Sequence, residues 1–220
     1  MSTQTGNISL SDQLEAYKQR FLQKADARKI RVFDEGVDDV AQSGITASAT
    51  QKGDQYLDFT LKNAAGKEVQ LSEVLAKGPV VLTWYRGGWC PYCNLQLRAF
   101  QQVLPEIEAQ GAQLVAITPE LPDNSLSTQE KNELSFEVLT DQDNEIARQY
   151  GLVFKLTPEV AVYYKDAFDL EVYNGNTTDE LPLAATYVIS QDGVIQYSFL
   201  DADYRVRAEP SEIVEILKGL

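Results

Sequence analysis

Histidine is absent from all 220 residues, and cysteine occurs only twice. The first absence excludes a histidine general base and any histidine-based metal centre. The second excludes a disulfide scaffold, and it leaves a zinc shell around the pair to be completed by carboxylates alone. Basic residues are scarce as well: 19 Lys and Arg stand against 33 Asp and Glu, a net charge of −14. Such a surface repels phosphate backbones and anionic lipid, so neither nucleic acid nor membrane is expected as a partner. No apolar stretch approaches the roughly 18 residues of a membrane span. Met1 to Gly6 lacks the basic-then-apolar pattern of a secretory signal. The expected location is cytoplasmic, where a lone cysteine pair stays free to cycle between dithiol and disulfide.

The two cysteines form a CxxC in Trp89-Cys90-Pro91-Tyr92-Cys93, directly after the β-branched and aromatic run Val80 to Tyr85. Two cysteines scattered at random would fall at this spacing in roughly one chain in a hundred, so the pair reads as a redox dithiol. A bridge across so short a loop would stabilise little, which leaves two inert buried thiols as the plainer alternative. A strand feeding through Arg86-Gly87-Gly88 into a helix that starts near Pro91 places Cys90 at the helix N-terminus. There the unpaired amides and the helix dipole favour a thiolate, and Arg86 adds a positive charge. Arg86 is equally readable as a solvated surface charge. With no histidine available, loop geometry and Arg86 are the expected means of activating Cys90.

Along the rest of the chain, Leu10, Leu14, Tyr17, Phe21 and Leu22 recur at helical spacing over Ser9 to Arg31, with Ser9 and Asp12 placed like a capping box. A second helical stretch is expected over Ile30 to Val40, then a linker over residues 43–48. Residues 1–50 read as a helical extension, a flap on the domain or a homodimer contact, without a catalytic role. A hairpin is expected over 55–71, and a helix lined by Leu97, Phe100, Leu104 and Ile107, kinked or restarted at Pro105 and stopped by Gly111. The continuous apolar run Leu114 to Thr118 reads as a strand covered on both faces. A helix near Gln129 to Leu134, a strand at Glu137 to Thr140 and a short helix from Asn144 to Tyr150 follow. Residues 152–181 read as an irregular aromatic insertion in which Tyr163, Tyr164 and Phe168 roof an apolar groove or anchor the segment. Asp192-Gly193 marks a hairpin between Thr186 to Ser190 and Val194 to Leu200, Asp203, Tyr204, Arg205 and Arg207 read as a structural ion-pair knot, and Pro210 opens a last helix.

Strand, CxxC, helix, strand, helix, hairpin, helix is the order of a thioredoxin fold. The decorated version over residues 52–215 resembles the peroxiredoxin-like branch, the alkyl hydroperoxide reductase and thiol-specific antioxidant superfamily. The likeness rests on Phe59-Thr60-Leu61, Leu71-Ser72-Glu73, Tyr85 to Asn94, Leu134-Ser135-Phe136 with Leu139-Thr140-Asp141, Ala185 to Ile189 and Asp203 to Arg207. It implies an α/β fold, a central mixed sheet flanked by helices over residues 51–220 behind the helical extension of residues 1–50. Set against the family's Pro-x-x-x-Thr-x-x-Cys loop, Arg86 falls on the Pro, Cys90 on the Thr and Cys93 on the peroxidatic Cys. Ala184 stands where the family's distant Arg is found, and Arg86 or Arg207 is a substitute for it. Set against thioredoxins, Cys90 becomes the exposed attacking thiolate and Cys93 the buried resolving thiol, with Ala185 in place of a cis-proline.

The function this resemblance implies is a thiol-dependent oxidoreductase with an antioxidant role, cycling Cys90 and Cys93 to reduce disulfides or peroxides. Disulfide exchange is favoured slightly, because the family's Thr and Arg are missing. Trp89, Pro91 and Tyr92 are candidate substrate contacts beside Cys90, Cys93 and Arg86, as is Thr186 on the strand facing the dithiol. No cofactor or metal is implied; the reductant is an external thiol such as thioredoxin or glutathione. The alternative is a redox-sensing or binding module whose disulfide changes packing without multiple turnover.

Overall fold

The computed structural model describes residues 9–220, so the signal-sequence reading of Met1 to Gly6 lies outside the described residues. In chain order the elements are α1 (Leu10–Lys24), α2 (Ala27–Gln42), α3 (Ile45–Ser48), β1 (Thr60–Asn63), β2 (Glu68–Gln70), α4 (Leu71–Leu75), β3 (Val80–Trp84), α5 (Pro91–Ala109), β4 (Gln113–Thr118) and α6 (Pro122–Lys131). Then come β5 (Glu137–Thr140), a 3₁₀ turn at Gln142–Asn144, α7 (Glu145–Gln149), β6 (Val153–Lys155), α8 (Pro158–Phe168), α9 (Leu170–Asn174), β7 (Glu180–Pro182), β8 (Thr186–Ile189), β9 (Ile195–Phe199) and α10 (Pro210–Leu217). Seven strands form one mixed sheet among the described residues, in the order β2-β1-β5-β4-β3-β8-β9. The central trio β3, β4 and β5 is parallel, and antiparallel strands close both edges.

The central strands are apolar throughout because both faces of the sheet are covered. In β3 and β4, alternate side chains divide between two cores. Val81, Leu114 and Ala116 face the layer of α1, α5 and α10, while Val80, Leu82, Trp84, Val115 and Ile117 face the opposite layer. The parallel β3–α5–β4 crossover therefore delivers the CxxC to the carboxyl end of the sheet, where open α/β sheets place their sites. Ser9 caps α1 as expected, its Oγ accepting from the Asp12 N–H. The carboxylate of Glu209 accepts from the N–H groups of Leu10 and Ser11 at 3.0 Å each, so the start of α10 also caps the start of α1. Leu10 and Leu14 are buried in the core that holds α5, which spends the apolar face of the extension on its own domain.

Several local expectations need correction. The second helix is longer than Ile30 to Val40, because Asp26 caps it at Lys29 N–H and starts it at Ala27. The expected linker contains the single turn α3. The helix expected near Gln129 begins at Pro122, which occupies the first turn where its missing N–H costs nothing. Residues 152–181 are not irregular: β6 and β7 pair Phe154 with Leu181 and close a helical excursion that packs Val160, Tyr164 and Leu170 against Val32 of α2. Finally, α5 runs unbroken through Pro105.

Pro105 is exposed, so its ring and lost hydrogen bond are borne by the helix alone. A proline costs about 3 kcal/mol against alanine in a helix interior, offset in part by the stiffness it gives the unfolded chain. Pro105→Ala should therefore raise stability by about 1–2 kcal/mol, read as a higher urea midpoint; a lower midpoint would show that the helix needs the bend.

Candidate functional site

The redox loop is held by its own backbone. Gly87 has φ of 153°, and a Cβ there would sit 2.2 Å from the Trp89 indole nitrogen. A Cβ on Gly88 would sit 1.9 Å from the Thr128 hydroxyl. Both polar groups of Gly88 are used: its N–H donates to Glu120 Oε1 at 2.9 Å, and its carbonyl accepts from Asn94 Nδ2 at 2.7 Å. The Asn94 side chain is in turn braced by Asn132, at 2.8 Å. This geometry leaves Cys90 at the N-cap of α5 and Cys93 one turn in, as free thiols, with Pro91 at the first helical position.

Neither sulfur is exposed; the residues are 1% and 0% accessible, which corrects the expectation of a solvent-facing Cys90. Arg86 is not a solvated charge either, being 1% accessible. Its guanidinium carbon lies 4.0 Å from the Tyr204 ring centroid and 5.0 Å from that of Trp89. One terminal nitrogen donates to the Tyr164 hydroxyl and the other approaches Cys90 Sγ at 3.9 Å, while its buried Nε–H has no partner among the described residues. Arg207 serves the second sulfur, donating to Cys93 Sγ at 3.4 Å, to Gln96 Oε1 at 2.6 Å and to the Tyr204 carbonyl at 2.7 Å. The tail is thus only partly an ion-pair knot. Arg205 pairs with Asp203 and Asp34, whereas Tyr204 and Arg207 face the dithiol.

These surroundings reverse the expected order of acidity. Burial and donation of its S–H to Cys93 push the Cys90 thiol well above the ordinary range, despite Arg86 and Arg207 nearby. Burial would raise Cys93 as well, but the hydrogen bond from Cys90 and the charges of Arg207 and Arg86 outweigh it and hold Cys93 well below the ordinary range. These neighbours therefore favour ionisation at Cys93 and retention of the proton at Cys90. Glu120, which follows β4, is a residue the sequence reading missed. Its burial pushes it up to about 7 in spite of the Gly88 N–H, and its Oε2 has no hydrogen-bond partner among the described residues. The one available signal was its place at the carboxyl end of a parallel strand beside the redox loop.

A cavity of about 250 Å³ opens onto this site, and Arg86, Trp89, Cys90, Pro91 and Tyr92 all line it. Its roof comes from the extension (Tyr17, Phe21, Lys29, Phe33) and from α8 (Tyr163, Tyr164, Phe168), so residues 1–50 do contribute to the site, contrary to expectation. Trp89 stacks on Phe168 at 4.4 Å between centroids, and Tyr92 meets Tyr17 edge-on at 5.0 Å. Thr186 is not among the lining residues. It is buried against Thr83 Oγ1 at 2.9 Å and reaches Arg207 only through Gln96, at 3.4 Å.

A parallel β-α-β crossover with a dithiol at its helix N-terminus, closed by a β-hairpin and a final helix, defines a thioredoxin-fold dithiol protein. The sequence profile of the AhpC/TSA family matches residues 52–198, and the chain belongs to that family. It is 27% identical over 180 residues to the chloroplastic peroxiredoxin Q of Triticum aestivum, covering 82% of this chain and 72% of the relative. It is 25% identical over 168 residues to the putative peroxiredoxin bcp of Haemophilus influenzae, covering 76% and 96%. In three dimensions it resembles the peroxidoxin BcpB of Mycobacterium tuberculosis, with a TM-score of 0.62, 20% identity, and 78% and 98% of the two chains covered.

The charge arrangement is testable in two ways. Arg207→Met should move the thiolate absorbance titration up by about one to two pH units, and Arg86→Met by less; an unmoved midpoint in Arg207→Met would remove that residue from thiolate stabilisation. For Glu120, the folded value of about 7 exceeds the ordinary 4.5, so between these pH values the native state holds a proton that the unfolded state has released. Its contribution is complete below pH 4.5 and is lost as pH rises to about 7. Glu120→Gln should accordingly gain on the parent by about 3 kcal/mol across that window in denaturant titrations; a constant difference would refute the raised value.

Proposed function

We propose that the chain is a dithiol peroxidase: Cys93 attacks a hydroperoxide, Cys90 resolves the product, and an external thiol of thioredoxin or glutathione type restores the pair. The observation that carries this reading is the guanidinium of Arg207 3.4 Å from Cys93, a charge that with Arg86 and the neighbouring Cys90 holds this thiol low. A thiolate, not a thiol, is the nucleophile. The Cys93 thiolate takes the terminal peroxide oxygen, the O–O bond breaks, and the Cys90 S–H protonates the leaving alkoxide to give an alcohol. The new Cys90 thiolate then attacks the Cys93 sulfenic acid, forming the disulfide and expelling hydroxide, which leaves as water with a proton from solvent. Two electrons from the external thiol reset the site, one of its two protons returning to Cys90 and the other to solvent, which suits a reducing compartment.

Arg86 and Arg207 suit the role of holding the peroxide oxygens, as donors aimed at the charge that develops on the leaving oxygen. Their positions answer the absence of the family's Arg at Ala184. The lean toward disulfide exchange rested on the missing Thr and Arg of the family; the comparisons lend it no support, and the acidity order runs against it. A second reading is a redox sensor, favoured by one observation: the Tyr17 ring of the extension packs directly on Tyr92 between the two cysteines.

Stopped-flow and steady-state peroxide assays decide among these. Cys93→Ser should abolish reaction with peroxide, while Cys90→Ser should still consume one equivalent, leave a trappable sulfenic acid and lose sustained turnover. The opposite pattern would put the attack on Cys90, and consumption of only one equivalent by the native protein with reductant present would favour the sensor.

A further inference from the structure

Between β9 and α10 the chain has no regular element, and residues 203–209 are placed by their side chains. Two of them serve the dithiol. Arg207 donates to Cys93 Sγ at 3.4 Å, and the Tyr204 ring centroid lies 4.0 Å from the Arg86 guanidinium carbon. The charged residues on either side of Arg207 turn instead to the extension. Arg205, largely buried, donates from Nε to Asp203 at 2.7 Å and from Nη1 to Asp34 of α2 at 2.6 Å. Glu209 uses both carboxylate oxygens on α1, accepting from the N–H groups of Leu10 and Ser11 at 3.0 Å each. The rings repeat the connection: Tyr204 meets Tyr92 and Tyr92 meets Tyr17 of α1, at 5.6 and 5.0 Å between centroids.

We propose that the extension is a positioning element of the reactive site: Asp34 and the start of α1 fix residues 203–209 through Arg205 and Glu209, and thereby hold the Arg207 guanidinium against Cys93. This rests on the reading of Cys93 as nucleophile and adds to it the residues that place its cation. The charged and titratable groups that face Cys93 are Cys90, Arg86, Tyr85, Glu120, Tyr164 and Arg207. Arg207 is the cation in contact with this sulfur, and a long side chain on an irregular segment keeps such a contact only where its backbone is fixed. The helix α1 stands directly opposite: Asp12, Glu15 and Lys18 line a cleft of about 280 Å³ with Asp203, Arg205 and Arg207. Asp34, Arg205 and Glu209 touch neither sulfur in this arrangement, and act on Cys93 through Arg207.

The test reads thiol acidity by thiolate absorbance in the full chain. Asp34→Ala and Glu209→Gln each remove a negative charge, which by itself would lower the titration midpoint slightly. Loss of positioning acts in the opposite direction, so each variant should raise the midpoint, by about half a pH unit. Glu35→Ala removes the neighbouring charge on α2, one that pairs with Arg31 instead, and should not raise it. In an Arg207→Met background the rise should vanish, because the effect passes through that guanidinium. The acid limb of kcat/KM with hydrogen peroxide should move up with the midpoint. A midpoint unmoved or lowered in either anchor variant, an equal rise in Glu35→Ala, or a rise that persists in Arg207→Met overturns the inference and leaves the peroxidase reading intact. Raised midpoints beside an absence of peroxide turnover in the native protein overturn the peroxidase reading and leave the positioning role standing.

Discussion

Two guanidinium groups buried beside two sulfurs set the terms for the rest of the molecule. A buried charge is costly unless it is paired, and among the described residues no carboxylate forms an ion pair with Arg86 or Arg207. Three kinds of compensation remain: aromatic faces around Arg86, carbonyl and amide oxygens around Arg207, and a negative sulfur between them. A Cys93 thiolate therefore serves both cations as a counter-ion. Oxidation to the disulfide removes that counter-ion and leaves both cations facing a neutral bridge. The arrangement favours the reduced form, the relation that makes a dithiol pair oxidising when it is a disulfide.

The same constraint accounts for the decorations on the thioredoxin fold. Tyr164 reaches Arg86 from the insertion, Tyr204 covers it from the tail, and Phe33 packs on Tyr164 from the extension. Each of these segments reads as an appendage in isolation. Together they exclude water from a charged loop, raising the strength of every electrostatic interaction inside it.

What was legible in the sequence follows from range. The strands β3 and β4, the hairpin at Asp192-Gly193, the stop at Gly111 and the placing of Cys90 before Pro91 all rest on local signals and stand where they were expected. The helix α8 also has a local signal, Thr157-Pro158-Glu159 as cap and first turn, obscured by an aromatic composition that suggested irregular chain. The acidity of the two cysteines was not legible, because the deciding groups are a sulfur–sulfur hydrogen bond and an arginine 114 positions away. The burial of Arg86 and of Glu120 was hidden for the same reason: nothing within a few residues of either says what will close over it. Thr186 lies on the right strand but pairs inward with Thr83, a matter of sheet register rather than composition.

The long separation between Cys93 and Arg207 also bears on how the protein is made. Chains emerge from the ribosome N-terminus first, so the CxxC is made well before the segment that carries Arg207. Until that segment docks, the CxxC has Arg86 but neither its second cation nor the Tyr204 cover. A nascent chain thus carries the dithiol without the Arg207 charge that helps to hold Cys93 low, and the full electrostatic setting of the pair forms only once that segment folds onto the body.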